Sequence, residues 1–225
     1  MPILRPHVAA VVPAYNEAKT IRRVVECLCN SSMFREVIVV SDGSTDETAK
    51  IARSTGARVI ELERNVGKGL AMRRGVHATK APIIAFFDGD VIGLRDRHIP
   101  RLVNPVVRGV VDMNIGLNDR GRFITRMMEY LPLISGQRAL RRELFEQIPL
   151  EFLQGYMIES SLNYICRIQN ARIGTVKMRG VHLRTKVQKV GWRKSLGQYA
   201  RMIGQVMVGM CNVRIAHVFG NTKLV

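Results

Sequence analysis

Acidic residues are scarce in this chain. Against 35 lysines and arginines stand 18 aspartates and glutamates, so its 225 residues carry a formal net charge of +17 at pH 7. Such an imbalance points to polyanionic company: nucleic acid, an anionic membrane surface or phosphorylated substrates. Aromatic residues are also few, at 6%. Neither a helix-turn-helix nor a basic stretch interleaved with aromatics is present, so no specific nucleic-acid partner is expected. The four cysteines, Cys27, Cys29, Cys166 and Cys211, lack zinc spacing. Cys27 and Cys29 fall two apart in a helical pattern and point in different directions, and all four read as reduced cytosolic thiols. No apolar run is long enough to span a bilayer. The first residues lack the charged head and apolar run of a signal peptide, so a cytoplasmic protein is expected. There is no internal repeat, low-complexity tract or clear linker. The remainder, 47% hydrophobic and 24% charged, suffices for one substantial core.

Apolar runs alternate with helical periodicity through the first half. Residues 7–14, 36–40, 57–62 and 82–87 read as buried strands. Between them, Ile21, Val24, Val25 and Leu28 recur at helical spacing, residues 47–54 follow a Ser44-Thr45-Asp46 cap, and a glycine-bearing loop at 64–69 feeds a helix to about residue 78. This order indicates an α/β fold, a mostly parallel central sheet with helices on both faces. Further on, residues 95–107 suit a helix interrupted near Pro105, and 110–115 a strand. Residues 123–130, 138–147 and 156–168 look helical, 172–178 and 181–185 extended, and an amphipathic helix is expected from Ser195 to about Val218.

The apolar run ending at Phe87 gives way to Asp88-Gly89-Asp90. In open α/β sheets, ligands bind beyond the carboxyl ends of the strands. Two carboxylates there can hold Mg²⁺ or Mn²⁺, which favour hard oxygen ligands and share their remaining positions with phosphates. Other strand ends converge on the same edge. Glu17 and Asp42 can accept hydrogen bonds from a base or ribose, and Lys68 can meet phosphate or the base edge. The loop glycines form neither the full phosphate-loop spacing nor the dinucleotide-binding fingerprint.

Four segments taken together resemble the family-2-type glycosyltransferases of the GT-A fold. They are Val11-Val12-Pro13-Ala14-Tyr15-Asn16-Glu17, Val40-Ser41-Asp42-Gly43-Ser44-Thr45-Asp46, Asn65-Val66-Gly67-Lys68-Gly69 and Asp88-Gly89-Asp90. The resemblance implies that Pro13, Tyr15, Glu17, Asp42 and Lys68 line a nucleotide pocket. It places Asp88 near the ribose and the metal, and makes Asp90 a direct metal ligand. The second half resembles glucosyl-3-phosphoglycerate synthases and polyprenyl-phosphate sugar synthases. There, Leu133-Ile134-Ser135-Gly136-Gln137-Arg138 is similar to an acceptor-side loop, in which the Gly136 amide and Arg138 would contact phosphate or sugar. Gly155-Tyr156-Met157-Ile158-Glu159 is similar to the segment facing the donor sugar, with Glu159 as sugar ligand or general base. His182 falls where the phosphoglycerate-type enzymes place a metal-binding histidine. Many inverting relatives carry an acid pair where Glu159 is followed by Ser160, so the anomeric outcome stays open.

The expectation is a single catalytic domain over residues 1–225: a nucleotide-binding half at 1–115, an acceptor-side half at 116–190 and a C-terminal helical segment at 191–225. It would be a metal-dependent hexosyltransferase using a nucleotide-diphosphate sugar, with UDP favoured over GDP, and a phosphate-bearing, lipid-linked or small-molecule acceptor. Nucleotidyl transfer is the enzymatic alternative, and a basic nucleic-acid-binding protein is the non-enzymatic one. Basic clusters occur at Arg120, Arg122 and Arg126, at Arg138, Arg141 and Arg142, and at Arg184, Lys186, Lys189, Arg193 and Lys194. The last precedes Trp192 and the Met-rich terminal helix, so attachment to the anionic inner face of a membrane stands beside a fully soluble enzyme. A homodimer is left open.

Overall fold

A computed structural model describes residues 7–118, 135–153 and 158–183. The expected helices at 123–130 and 195–218, the residues Leu133, Ile134 and Gly155–Met157, and the first and last basic clusters lie outside the described residues.

The first half alternates strand and helix as the apolar periodicity predicts: β1 (Val8–Ala14), α1 (Ile21–Cys29), β2 (Glu36–Asp42), α2 (Thr48–Arg53), β3 (Arg58–Leu62), α3 (Lys68–His77) and β4 (Ile83–Phe86). Then come β5 (Val91–Ile92), α4 (His98–Val107), β6 (Met113–Asn118), β7 (Arg138–Arg141), α5 (Arg142–Glu146), a 3₁₀ turn at Leu150–Leu153, α6 (Ile158–Ile168), β8 (Ile173–Met178) and β9 (His182–Leu183). Seven strands form one sheet in the order β3-β2-β1-β4-β7-β6-β8, while β5 and β9 make a separate two-stranded ladder. Within the seven-stranded sheet only β7 runs against its neighbours; β4 and β6 both pair with it antiparallel, and the remaining pairs of that sheet are parallel.

Side chains alternate across the sheet, as strand geometry requires. Val8, Ala10 and Val12 face a layer built on α1 and α4, where Ile21, Val24, Val25 and Leu28 meet Ile99, Leu102, Val103 and Val106. Ala9 and Val11 face the opposite layer, with Met72 and Val76 of α3, Leu144 and Phe145 of α5, and Ile158, Leu162 and Ile165 of α6. Two-sided burial is why the strands read as unbroken apolar runs.

The expected helix at 138–147 is corrected. Its first four residues are β7, and only Arg142–Glu146 is helical. Arg138 and Leu140 sit opposite Phe86 and Ile84 on one side and opposite Ile115 and Met113 on the other. Filling this slot satisfies the backbone edges of β4 and β6 together, a tertiary gain that overrides a four-residue helical pattern. The strand expected at 110–115 starts instead at Met113, because the Val110 and Val111 amides both donate to the Pro105 carbonyl and close α4.

Helix α4 also runs through Pro105 rather than breaking there. Proline has no N–H for the carbonyl four residues earlier, that of Arg101. Asn114 of β6 supplies the donor: its buried Nδ2 lies 3.2 Å from Arg101 O and 2.8 Å from Leu102 O. Replacing Asn114 by Val strands that carbonyl in the core and lowers stability by about 1–3 kcal/mol. Thermal melts check this, with Pro105→Ala in the Asn114→Val background recovering part of the loss by restoring the missing amide.

Candidate active site

The site is assembled at the carboxyl ends of β1, β2 and β4. The loop after β1 and the loop after β2 are stitched together by polar side chains. The Thr45 amide donates to Asn16 Oδ1 at 2.8 Å, the Glu17 amide to Thr48 Oγ1 at 2.8 Å, and the Ala18 amide to Asp46 Oδ2 at 3.2 Å. Asn16 takes a left-handed φ of 55°, which asparagine tolerates better than most residues. Burial works against the charge on Asp46. The Thr48 hydroxyl and the Ala18 and Thr48 amides outweigh it and hold the carboxyl below its usual range. Pro13 is buried in β1 opposite Val40, Glu17 is buried at the loop base, and Tyr15 stands 47% exposed at the rim.

Asp42, at the end of β2, directs both carboxylate oxygens to the next loop. Val66 N donates to Oδ1 at 2.8 Å and Gly67 N to Oδ2 at 2.9 Å. The loop passes so close over Gly43 that a Cβ there would come within 2.4 Å of the Arg64 and Asn65 backbone. Asp42 thereby secures the segment that begins α3, whose first residue is Lys68.

The Lys68 ammonium is the electrostatic centre. Its Nζ lies 2.7 Å from Asp88 Oδ1 and 2.7 Å from Glu159 Oε1, joining α3, the turn after β4 and the first turn of α6. Desolvation alone would lower the pKa of Lys68. The two carboxylates overcome it and raise the pKa above the usual lysine value, so the ammonium keeps its charge throughout the neutral range. The second oxygen of Asp88 accepts from Gln137 Nε2 at 3.0 Å.

Asp88 and Asp90 flank buried Gly89, whose carbonyl accepts from Thr20 Oγ1 at 2.8 Å. Immediately afterwards β5 pairs with β9, setting Ile92 opposite His182. His182 therefore reaches the strand next to the Asp88–Asp90 turn, with its side chain exposed. The expected Asp88, Asp90 and His182 trio is not gathered into a preformed metal cluster. Among the described residues, no three His, Cys, Asp or Glu side chains can hold an ion on their own. Asp88 is drawn to Lys68 and Gln137 instead. The donor set still fits Mg²⁺ or Mn²⁺, which commonly use one or two carboxylates and complete their shell with water and phosphate oxygens.

Arg138, expected to contact phosphate or sugar, lies elsewhere. It is 1% exposed, beneath α6, where Nε donates to Ser135 O at 2.8 Å and Nη1 to Asn163 Oδ1 at 2.6 Å. Burial pushes its pKa down to about 10, against the opposing pull of Glu159, Cys166 and Asp88. Its place on β7 turns the guanidinium into the core, toward Asn163 of α6. Gln137, Thr20 and Asn163 carry no expectation from sequence. Gln137 sits in a recognisable loop, but only the folded sheet reveals that its amide grips Asp88.

Gly136 has no room for a side chain. A Cβ would come within 2.1–2.5 Å of the Asp88 carboxyl atoms. Since that obstacle is the end of a side chain, Gly136→Ala is expected to fold but to push Asp88 off Lys68 and Gln137. Calorimetry should register weakened nucleotide-sugar binding beside a nearly unchanged melting temperature.

These loops coincide with what comparison identifies. The glycosyl transferase family 2 model matches residues 9–161. Glucosyl-3-phosphoglycerate synthase of Mycobacterium tuberculosis (strain ATCC 25618 / H37Rv) is 27% identical over 244 residues, spanning 92% of this chain and 74% of the relative. The 4,4'-diaponeurosporenoate glycosyltransferase of Staphylococcus aureus (strain USA300) is 38% identical over 99 residues, but these amount to 42% of this chain and 26% of that protein. Among solved structures, the M. tuberculosis synthase with Mg²⁺ and UDP is similar with a TM-score of 0.77 at 26% identity, over 92% of this chain and 79% of that one. The same synthase with Mn²⁺, UDP-glucose and phosphoglyceric acid gives 0.77 at 27%, with the same coverage. The family match runs from β1 into α6 and takes in every loop that meets at Lys68, and on that basis the chain belongs to glycosyltransferase family 2, with a GT-A-like fold and glycosyltransferase activity.

Proposed function

We propose that this glycosyltransferase moves a hexose from a UDP-sugar to a phosphate-bearing acceptor, with Mg²⁺ or Mn²⁺ as cofactor. The observation that carries the reading is the convergence of Asp88 and Glu159 on Lys68, at 2.7 Å each. Three segments matching the family's nucleotide, diphosphate and sugar elements meet at one ammonium. The M. tuberculosis synthase, similar over 92% of this chain, was crystallised with UDP-glucose and phosphoglyceric acid.

In this reading Pro13, Tyr15, Glu17 and Asp42 frame the nucleoside, and Asp88 faces the ribose. Asp90 and His182 would hold the ion, which supplies positive charge against the leaving diphosphate. The half-buried Asp90 carboxylate anchors that charge at the sheet edge. Glu159 orients the hexose. Lys68 neutralises the two acids beside it and offers its remaining proton to phosphate or base. The Gly136 amide lies on the acceptor side, where alignment of an acceptor oxygen with the anomeric carbon is the main catalytic demand. An acceptor phosphate is already anionic and needs no strong base, whereas a hydroxyl acceptor benefits from proton removal.

The net charge of +17 suits an acceptor whose phosphate is either free or lipid-linked. The reading takes the enzyme as cytoplasmic, either soluble or resting on an anionic membrane face, and the same charge supports the latter. Among the described residues no helix is long and apolar enough to cross a membrane. Activity assays with phosphoglycerate and with a polyprenyl phosphate separate the two acceptor classes.

Titration calorimetry with UDP- and GDP-sugars, with and without Mn²⁺, tests the donor and the ion together. Metal-dependent UDP-sugar binding is expected, at least about tenfold weaker in Asp90→Ala and also reduced in His182→Ala, a loss of about 1.4 kcal/mol or more for the former. Saturating binding that ignores both Mn²⁺ and Asp90→Ala would overturn the metal assignment.

A further inference from the structure

Among the described residues, Arg138 is the only lysine or arginine whose side chain is fully buried. Its hydrogen-bond partners are neutral, namely Ser135 O, Asn163 Oδ1 and, at 3.7 Å, Met113 Sδ, while the Glu159 and Asp88 carboxylates act on it without a direct hydrogen bond. Nη2 is buried and has no hydrogen-bond partner, and the same holds for Asn163 Nδ2. Buried charges cost stability unless well paired, and replacing them by apolar side chains of similar volume is often neutral or stabilising. Stability therefore does not account for the Arg138–Asn163 pair.

Its position does. Asn163 lies four residues after Glu159 on α6, one helical turn along the same face. Ile158, Leu162 and Ile165 pack α6 onto the sheet through apolar contacts, which are non-directional, while the Lys68–Glu159 ion pair and the Ser161 hydroxyl on the Phe152 carbonyl hold only its first turn. A 2.6 Å hydrogen bond from a rigid guanidinium on a central strand is directional. Arg138 is itself fixed between Phe86 of β4 and Ile115 of β6, and Phe86 precedes the Asp88–Asp90 turn by two residues. One anchored side chain thus relates α6 to the strand that carries the acidic turn.

We propose that Arg138 is a positioning residue acting through Asn163: it fixes the register of α6 so that Glu159 meets the donor sugar at the correct distance from Asp88. This rests on the reading that Glu159 faces that sugar. Arg138 touches neither donor nor acceptor, and the buried pair supplies geometry in place of stability.

The test is a double variant, Arg138→Met with Asn163→Leu, which removes both polar groups and fills the space with apolar atoms. A melting temperature equal to or above wild type is expected, with UDP binding in Mn²⁺ unchanged, because nothing that frames the nucleoside has moved. The ratio of UDP-glucose to UDP affinity should fall below its wild-type value, and kcat/KM should fall by roughly 10²-fold, the scale of a 1 Å misplacement at a reacting centre. Arg138→Lys, which keeps the charge but loses the guanidinium fork, should lose part of the sugar preference while still folding, and it carries the same readout if the double variant does not fold. A folded variant with wild-type sugar preference and kcat/KM overturns the proposal, and so does equal weakening of UDP and UDP-glucose, which would mark a purely structural role. Absence of UDP binding in the wild-type protein would instead sink the donor assignment.

Discussion

The Lys68 ammonium holds together segments of chain that are distant in sequence. Asp88 ends the run after β4 and Glu159 opens α6, and each presents a carboxylate oxygen to the same nitrogen. Without a cation between them, two largely buried acids would repel one another and lose solvation. Asp42 sits one step behind, holding the amides of Val66 and Gly67 and so the start of the helix that delivers Lys68. Gln137 occupies the other oxygen of Asp88. Asp42, Asp88 and Glu159 thus each engage a partner from another segment of the chain.

That arrangement depends on how the sheet is completed. Four parallel strands from the first half would leave the outer edge of β4 open. The antiparallel β7 closes it and brings Ser135–Arg138 alongside the acidic turn, while β6 and β8 extend the sheet beyond. Running β7 in the reverse direction sets its first residues, rather than its last, at the edge where the other strands end. This is why Ser135 and Gly136 precede their strand, whereas Glu17, Asp42 and Asp88 follow theirs or close them. The short β5–β9 ladder then carries His182 to the same edge.

Polar groups inside this molecule serve two purposes. Asn114 repairs the carbonyl that Pro105 leaves unpaired, and it lets α4 continue to Val107. Arg138 satisfies the Ser135 carbonyl through Nε, yet it and Asn163 each keep a buried nitrogen without a partner. The first kind is explained by the hydrogen-bond needs of the backbone, whereas the second ties β7 to the helix that carries Glu159.

The amino-acid order by itself determined the alternation of buried strands and amphipathic helices through residue 87, because two-sided burial imposes unbroken apolar runs and a 3.6-residue period that can be read locally. It also located the strand-end acids and the glycine-bearing turns, whose side chains are dictated by neighbouring backbone. Short segments were beyond it: β7 looks helical over four residues, and its pairing with Phe86 and Ile115 is a long-range event. Only the tertiary structure decided that Lys68 bridges Asp88 and Glu159, that Gln137 holds Asp88 and that Arg138 turns inward. Those outcomes depend on contacts between residues 20 (Lys68 to Asp88) to 91 (Lys68 to Glu159) positions apart, a separation at which no local period carries information.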